Sequence, residues 1–224
     1  MPDHHLLYSF RRCPYAMRAR LGLTSANIKV ELREIVLRNK PAHMIELSPK
    51  ATVPVLRLKT GEIIDESLDI TIWALKQNDP SNLLSPENHS LEEMLKLIVE
   101  NDGPFKHHLD RTKYAVRYPE DNKEDHKLQA SEFLLKLNDR LSNQSFLFGN
   151  QCSLADITIA PFVRQFANID RTWFDNEPWP HLLRWLNEFI ESKLFLSIMT
   201  KYAPWEEGDN IIWFPDNDAQ KNIS

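Results

Sequence analysis

The stretch Leu6-Leu7-Tyr8-Ser9-Phe10-Arg11-Arg12-Cys13-Pro14-Tyr15-Ala16 changes character midway, and its two halves set the architecture of everything that follows. Its apolar run, Leu6 to Phe10, reads as a buried strand. Pro14 then opens a helix reaching Ala26, since proline in a first helical turn gives up an N–H that has no partner there anyway. Cys13 is thereby set at the helix start. Unpaired backbone N–H groups and the helix dipole favour an anion at that point, and Arg11, Arg12 and Arg18 add positive charge. The expected consequence is a thiol whose pKa is lowered toward neutrality, hence a nucleophile. The chain's other cysteine, Cys152, has no comparable basic neighbours in Gly149-Asn150-Gln151-Cys152 and reads as structural or incidental.

Downstream, Ile28 to Val36 alternates apolar and polar residues and predicts a second strand. Pro41 to Leu47 predicts a short helix. Val53 to Leu58 and Glu62 to Asp65 flank Lys59-Thr60-Gly61 and predict an antiparallel hairpin, and Ser67 to Gln77 predicts a third helix. The order βαβ, short helix, ββα makes residues 1–78 a mixed α/β domain. Residues 79–90 are rich in proline and asparagine and have linker composition. In residues 91–224 the periodic stretches are helical, with apolar residues three and four apart, so the second domain is expected to be all α. Gly103-Pro104 is expected to break or kink its first long helix. Ser153-Leu154-Ala155-Asp156 has the form of a capping box. Residues 205–224 lack helical period but hold Trp205, Trp213 and Phe214, so this tail is expected to pack back onto the body.

Composition excludes several classes of function. Among 224 residues, 27 are basic and 32 acidic, so nothing attracts a polyanion and nucleic acid is not an expected partner. The five glycines, at 22, 61, 103, 149 and 208, are too scattered to form a dinucleotide fingerprint or a phosphate-cradling loop. Two cysteines 139 positions apart make neither a disulfide framework nor a metal cluster, which fits a reducing, cytoplasmic setting. No apolar run approaches a membrane span, and the N-terminal residues lack the features of a secretory signal. His4-His5 and His107-His108 suggest a metal ligand set, but adjacent imidazoles diverge and no third histidine stands at a useful spacing, so no metal is expected.

At this point the chain resembles the glutathione transferase superfamily, in particular its cysteine-type, omega-like branch. The strand–Cys13-Pro14-Tyr15-Ala16–helix element is similar to the active-site turn of glutaredoxins and cysteine-type transferases. Thr52-Val53-Pro54-Val55-Leu56 resembles the segment whose proline is cis and whose preceding residue pairs with the cysteinyl part of glutathione. Glu66-Ser67 resembles the acidic–serine pair that holds the γ-glutamyl end, and Lys40 resembles a lysine that lies against the tripeptide. The fold implied is a thioredoxin-like N-terminal domain followed by an all-helical C-terminal domain. The implied co-substrate is glutathione, paired with a small-molecule or glutathionylated second substrate. A homodimer is the implied assembly.

Glutaredoxins that use two thiols carry a second cysteine where this chain has Ala16. The resemblance therefore implies single-thiol chemistry at Cys13, resolved by a second glutathione: deglutathionylation, thiol transfer or dehydroascorbate-type reduction. Two alternatives stand beside it. One is conventional conjugation of glutathione to electrophiles through Tyr8 or Ser9, and the other is a non-catalytic binding module. By analogy of fold, the second-substrate pocket is expected near Phe10, Arg11, Tyr15 and Tyr114, with His107 and Arg111 as further candidates.

Overall fold

The computed structural model describes residues 3–216. The chain divides into two units, one of Met1–Ser81 with Glu191–Ser224, the other of Asn82–Ile190. In the first unit, β1 (Leu6–Ser9) runs parallel to β2 (Val30–Glu34) and antiparallel to β3 (Val55–Arg57), which pairs with β4 (Ile63–Ile64). Helix α1 (Pro14–Ser25) links the parallel strands; α2 (Ala42–Leu47) precedes β3, and α3 (Ser67–Gln77) follows β4. This is the mixed α/β order anticipated from the pattern. The second strand is shorter than Ile28 to Val36, and β3 begins only after Pro54, which has no N–H to give a ladder. Gly61, at φ 94°, turns the β3–β4 hairpin.

Close packing of α1 on α3 depends on Gly22. A Cβ added there would lie 2.8 Å from the Thr71 Cα, inside any normal contact. Thr71 also ties the helices together, its hydroxyl donating to the backbone oxygen of Arg18 at 3.1 Å.

The second unit is helical: α4 (Leu91–Glu100), α5 (Lys106–Lys113), α6 (Lys123–Arg140), α7 (Leu154–Ala167), α8 (Arg171–Asp175) and α9 (Pro180–Glu191). The break expected at Gly103-Pro104 takes the form of a π-helical turn, Asn101–Phe105, which joins α4 to α5 without ending the helix. Part of the expected linker belongs to this unit: Leu83 is buried, and its carbonyl accepts from the Leu154 N–H at 2.8 Å. At the start of α7, Asp156 is fully buried and takes four donors. Leu147 N–H (2.9 Å) and Trp185 Nε1–H (2.8 Å) reach one carboxylate oxygen, while Ser153 N–H (2.9 Å) and Oγ–H (2.6 Å) reach the other.

The assignment of all of 91–224 to one helical domain needs correction. After α9, α10 (Lys193–Ser197) packs on α1, and β5 (Trp213–Phe214) joins the sheet beside β2, giving the order β4-β3-β1-β2-β5. The reason is an unpaired strand edge. Without β5, the outer side of β2 would present open backbone groups to solvent. The Leu32 N–H instead donates to the Ile212 carbonyl at 2.8 Å, and the Trp205 N–H to the Glu34 carbonyl at 2.7 Å. Trp205 also lies under the Arg33 guanidinium, 4.0 Å from its ring centre, and meets Tyr8 edge-on. Residues 217–224 of the expected tail lie outside the described residues.

Candidate active site

Cys13 occupies the N-cap of α1 in extended backbone conformation (φ −76°, ψ 124°), with Pro14 at the first helical position. Its carbonyl accepts the Met17 N–H at 2.9 Å, so the helix is wound from the cysteine onward. The thiol is half-buried, 3.8 Å from the carbonyl oxygen of Val53. That residue precedes Pro54 across a cis peptide bond, in agreement with the resemblance. Val53 is buried in a cluster with Leu6, Tyr8, Ala16, Ile35 and Met44, against which Cys13 and Phe10 pack.

A cavity of about 450 Å³ opens in front of the thiol. Cys13, Tyr15, Lys40, Val53, Pro54, Glu66 and Ser67 all line it, so the structure gathers into one concavity residues drawn from four separate segments. Such a volume falls in the range of small-molecule sites. Ser67 is buried at the first position of α3, and the Arg18 guanidinium approaches its hydroxyl at 3.5 Å. Arg18 is thus directed to the α3 terminus and lies over Tyr15. A larger groove of about 1050 Å³, lined by Glu31, Arg33, His43, Arg57 and Trp205 among others, contains no cysteine. On chemical grounds the smaller one is the candidate site.

Four contributors were not identified from the sequence. Lys50 pairs with Glu66 (2.6 Å) and Asp65 (3.3 Å), while the Ser48 hydroxyl donates to Asp65 at 2.8 Å. The hydrogen bond to Glu66 raises the Lys50 pKa, and the hydrogen bond from Ser48 leads in lowering that of Asp65. The fourth is Arg20, buried beneath the turn. Its guanidinium donates to Ser9 Oγ (2.8 Å) and the Arg11 carbonyl (2.7 Å) and lies 3.7 Å from Glu34. Burial holds its pKa down to about 10, against the opposing pull of Glu34 and the Cys13 sulfur. One signal was available: position 20 stands seven residues after 13, two helical turns along one face.

Other expected residues fall elsewhere. Phe10 and Arg11 do not line the cavity; the Arg11 N–H is held by Glu34 Oε1 at 2.6 Å. Tyr114, at the end of α5, belongs to the second unit, as do His107 and Arg111. The Tyr8 hydroxyl is occupied by Arg33 Nη1 (2.9 Å) and His43 Nδ1 (2.8 Å), and burial raises its pKa. Ser9 Oγ is taken by Arg20, and neither hydroxyl reaches the cavity. Burial pushes the Cys152 thiol well up, as suits a structural residue. His4 turns to Glu31 (2.7 Å), while the Nδ1 of His5 accepts from the Lys59 N–H (3.3 Å), so this pair does diverge. The reading of His107-His108 is corrected. Their rings lie about 5 Å apart, and His126 from α6 joins them. A third imidazole distant in sequence reaches the pair because α5 and α6 pack together.

The thioredoxin-like sheet, the proline beside the thiol and the helical second unit together define a glutathione transferase fold. Residues 7–82 match the family described as "Glutathione S-transferase, N-terminal domain", and residues 120–188 match "Glutathione S-transferase, C-terminal domain". The chain belongs to the glutathione transferase family. Among curated relatives, it is 27% identical to glutathione S-transferase omega-1 of Rattus norvegicus over 212 residues, covering 88% of this chain and 85% of the relative. It is 29% identical to a probable glutathione S-transferase DHAR1, cytosolic, of Oryza sativa subsp. japonica, over 66% of this chain and 64% of the relative. A glutathione S-transferase from Methylobacillus flagellatus, solved with GSH bound, superposes with a TM-score of 0.75 at 19% identity, covering 87% of this chain and 98% of the other. Among the described residues, no helix is long and apolar enough to cross a membrane.

Proposed function

We propose that this chain is a glutathione-dependent thiol transferase or reductase in which Cys13 is the single catalytic thiol. One observation carries the reading: Cys13, Lys40, Val53, Pro54, Glu66 and Ser67 line one cavity, and at position 16, where a resolving thiol would stand, there is a fully buried alanine. In this reading the γ-glutamyl carboxylate of glutathione lies at the start of α3, where Ser67 and unpaired backbone N–H groups suit an anion. Glu66 takes the α-amino group, the Val53 backbone pairs with the cysteinyl unit, and Lys40 lies along the tripeptide.

The chemistry follows as two exchanges. The Cys13 thiolate attacks the glutathionyl sulfur of a mixed disulfide, forming Cys13–S–S–glutathione and releasing the substrate thiolate, which takes up a proton. A second glutathione thiolate then attacks that sulfur–sulfur bond, forming glutathione disulfide and regenerating the Cys13 thiolate. In net terms one free glutathione is consumed: the substrate sulfur leaves as a thiol and the glutathionyl unit it carried leaves as half of glutathione disulfide. A dehydroascorbate-type substrate brings no glutathionyl unit, so there two free glutathione molecules supply the two electrons and leave as glutathione disulfide. Conjugation through Tyr8 or Ser9 has less support, since both hydroxyls are occupied away from the cavity.

The test compares wild type with Cys13→Ala and Cys13→Ser on a glutathione mixed disulfide and on a chlorinated nitrobenzene. Loss of disulfide reduction in both variants, with a trapped glutathione adduct of one equivalent on wild type, is the expected result. Full disulfide activity in Cys13→Ala would refute the mechanism. Retention of either variant on immobilised glutathione distinguishes a lost nucleophile from a lost binding site.

A further inference from the structure

The second unit holds a cluster that thiol chemistry does not use. His107 and His108 stand in the first turn of α5, and His126 in the first turn of α6. One ring nitrogen from each lies within 4.8 Å of the other two, and the Nδ1 atoms of His108 and His126 are 2.8 Å apart. The ring centroids of His107 and His126 are 5.6 Å apart, and those of His108 and His126 5.0 Å. We propose that His107, His108 and His126 form a binding site for a divalent first-row transition-metal ion, with zinc as the reference ligand and a fourth position open to solvent.

The chemistry favours this ligand class. Imidazole nitrogen suits zinc, copper and nickel, and three histidines with one open position form a recurrent zinc set. Two nitrogens bound to one tetrahedral zinc at about 2.0–2.1 Å stand about 3.4 Å apart. The close pair must therefore open slightly and the third ring swing in. The rings have room to do so, since His107 is exposed and the other two are half-buried.

The surroundings also fit. Asp121 Oδ2 lies 3.4 Å from His126 Nε2, the arrangement in which a carboxylate orients a ligating imidazole through its second nitrogen. The two Nδ1 atoms of His108 and His126 share one proton between them, and a cation placed there takes over that position once the proton moves to the far nitrogen of its own ring by way of solvent. Arg111 shares the same carboxylate oxygen and balances its charge.

The experiment uses untagged, full-length protein carrying Cys13→Ser and Cys152→Ser, so that thiols cannot compete for metal. Zinc binding is measured by calorimetry, and cobalt substitution reports geometry by visible absorption. One ion per chain and a tetrahedral cobalt spectrum are expected. Asp121→Asn should weaken binding about 10–100-fold. His126→Gln and the exposed His107→Ala should weaken it further, while His4→Gln with His5→Gln leaves it unchanged. Circular dichroism checks each fold, and His107→Ala, altering an exposed side chain, decides the matter if His126→Gln unfolds. No zinc bound by the folded parent, or equal affinity in folded His107→Ala, overturns the proposal.

Discussion

Replacing Asp156 tests how far a buried capping box differs from an exposed one. Asp156→Ala leaves three fixed N–H groups, those of Leu147, Ser153 and the Trp185 indole, without an acceptor in a sealed interior; the Ser153 hydroxyl can turn away. Each buried orphan donor costs about 1–3 kcal/mol, which sums to roughly 3–9 kcal/mol. Removing a buried carboxylate relieves its own desolvation, so the net expectation is the lower part, roughly 3–5 kcal/mol. That is about a fifth or more of a typical domain's stability. Asp156→Asn keeps an acceptor for Leu147 and Trp185 but turns an amide toward the Ser153 N–H, and should cost about 1–3 kcal/mol. The comparison is Ser90→Ala in the solvent-exposed box at the start of α4, where about 1 kcal/mol is usual. Urea titration followed by circular dichroism reads all three as midpoint shifts. A further signature concerns pH. Burial raises the Asp156 pKa in the folded state, so the stability linked to its protonation is full below the unfolded value and is lost as pH rises through the folded one. The wild-type advantage over Asp156→Asn should therefore shrink as pH rises. If Asp156→Ala costs no more than Ser90→Ala, or that advantage grows with pH, the account of a buried, desolvated carboxylate is wrong.

Ala16→Cys should convert the single-thiol site to a two-thiol one: after reaction with a disulfide the variant should hold a disulfide between Cys13 and the introduced thiol, read as loss of two thiols and two mass units, whereas wild type should retain a glutathione adduct. Gly22→Ala should cost about 1–3 kcal/mol of unfolding free energy through overpacking against Thr71, and a neutral result would mean that α1 and α3 separate easily. Tyr8→Phe should lower stability by about 0.5–1.5 kcal/mol while leaving disulfide reduction intact. A fall of about 100-fold or more in turnover would instead assign Tyr8 the stabilisation of a reacting anion.

What the sequence made legible was local. The strand, the proline-opened helix and the cysteine between them lie within eleven consecutive residues, so chain geometry alone places Cys13 at the helix start. The positions at 40, 53–54 and 66–67 were reachable because family motifs preserve their order. What escaped depends on tertiary partners. β5 has two residues and no period of its own; it is a strand because β2 offers an unpaired edge. Lys50 is one exposed cation among many until α3 brings Glu66 to it. His126 lies eighteen residues from His108, and only the packing of α5 on α6 makes them neighbours.

Arg20 shows the same limit at the site itself, and why the turn before Cys13 needs no glycine. A turn between a buried strand and a helix leaves carbonyls pointing inward, and a buried carbonyl without a donor is costly. Here one guanidinium takes the Arg11 carbonyl and Ser9 Oγ, while Glu34 takes the Arg11 N–H and faces the guanidinium as its counter-charge. A pKa near 10 still leaves Arg20 protonated at neutral pH. The group that satisfies the turn therefore also keeps a fixed positive charge under the N-terminus of α1, where the dipole already favours an anion. Structural and electrostatic roles coincide in one side chain. An apolar replacement would strand the Glu34 carboxylate in the interior and open the turn that positions the thiol.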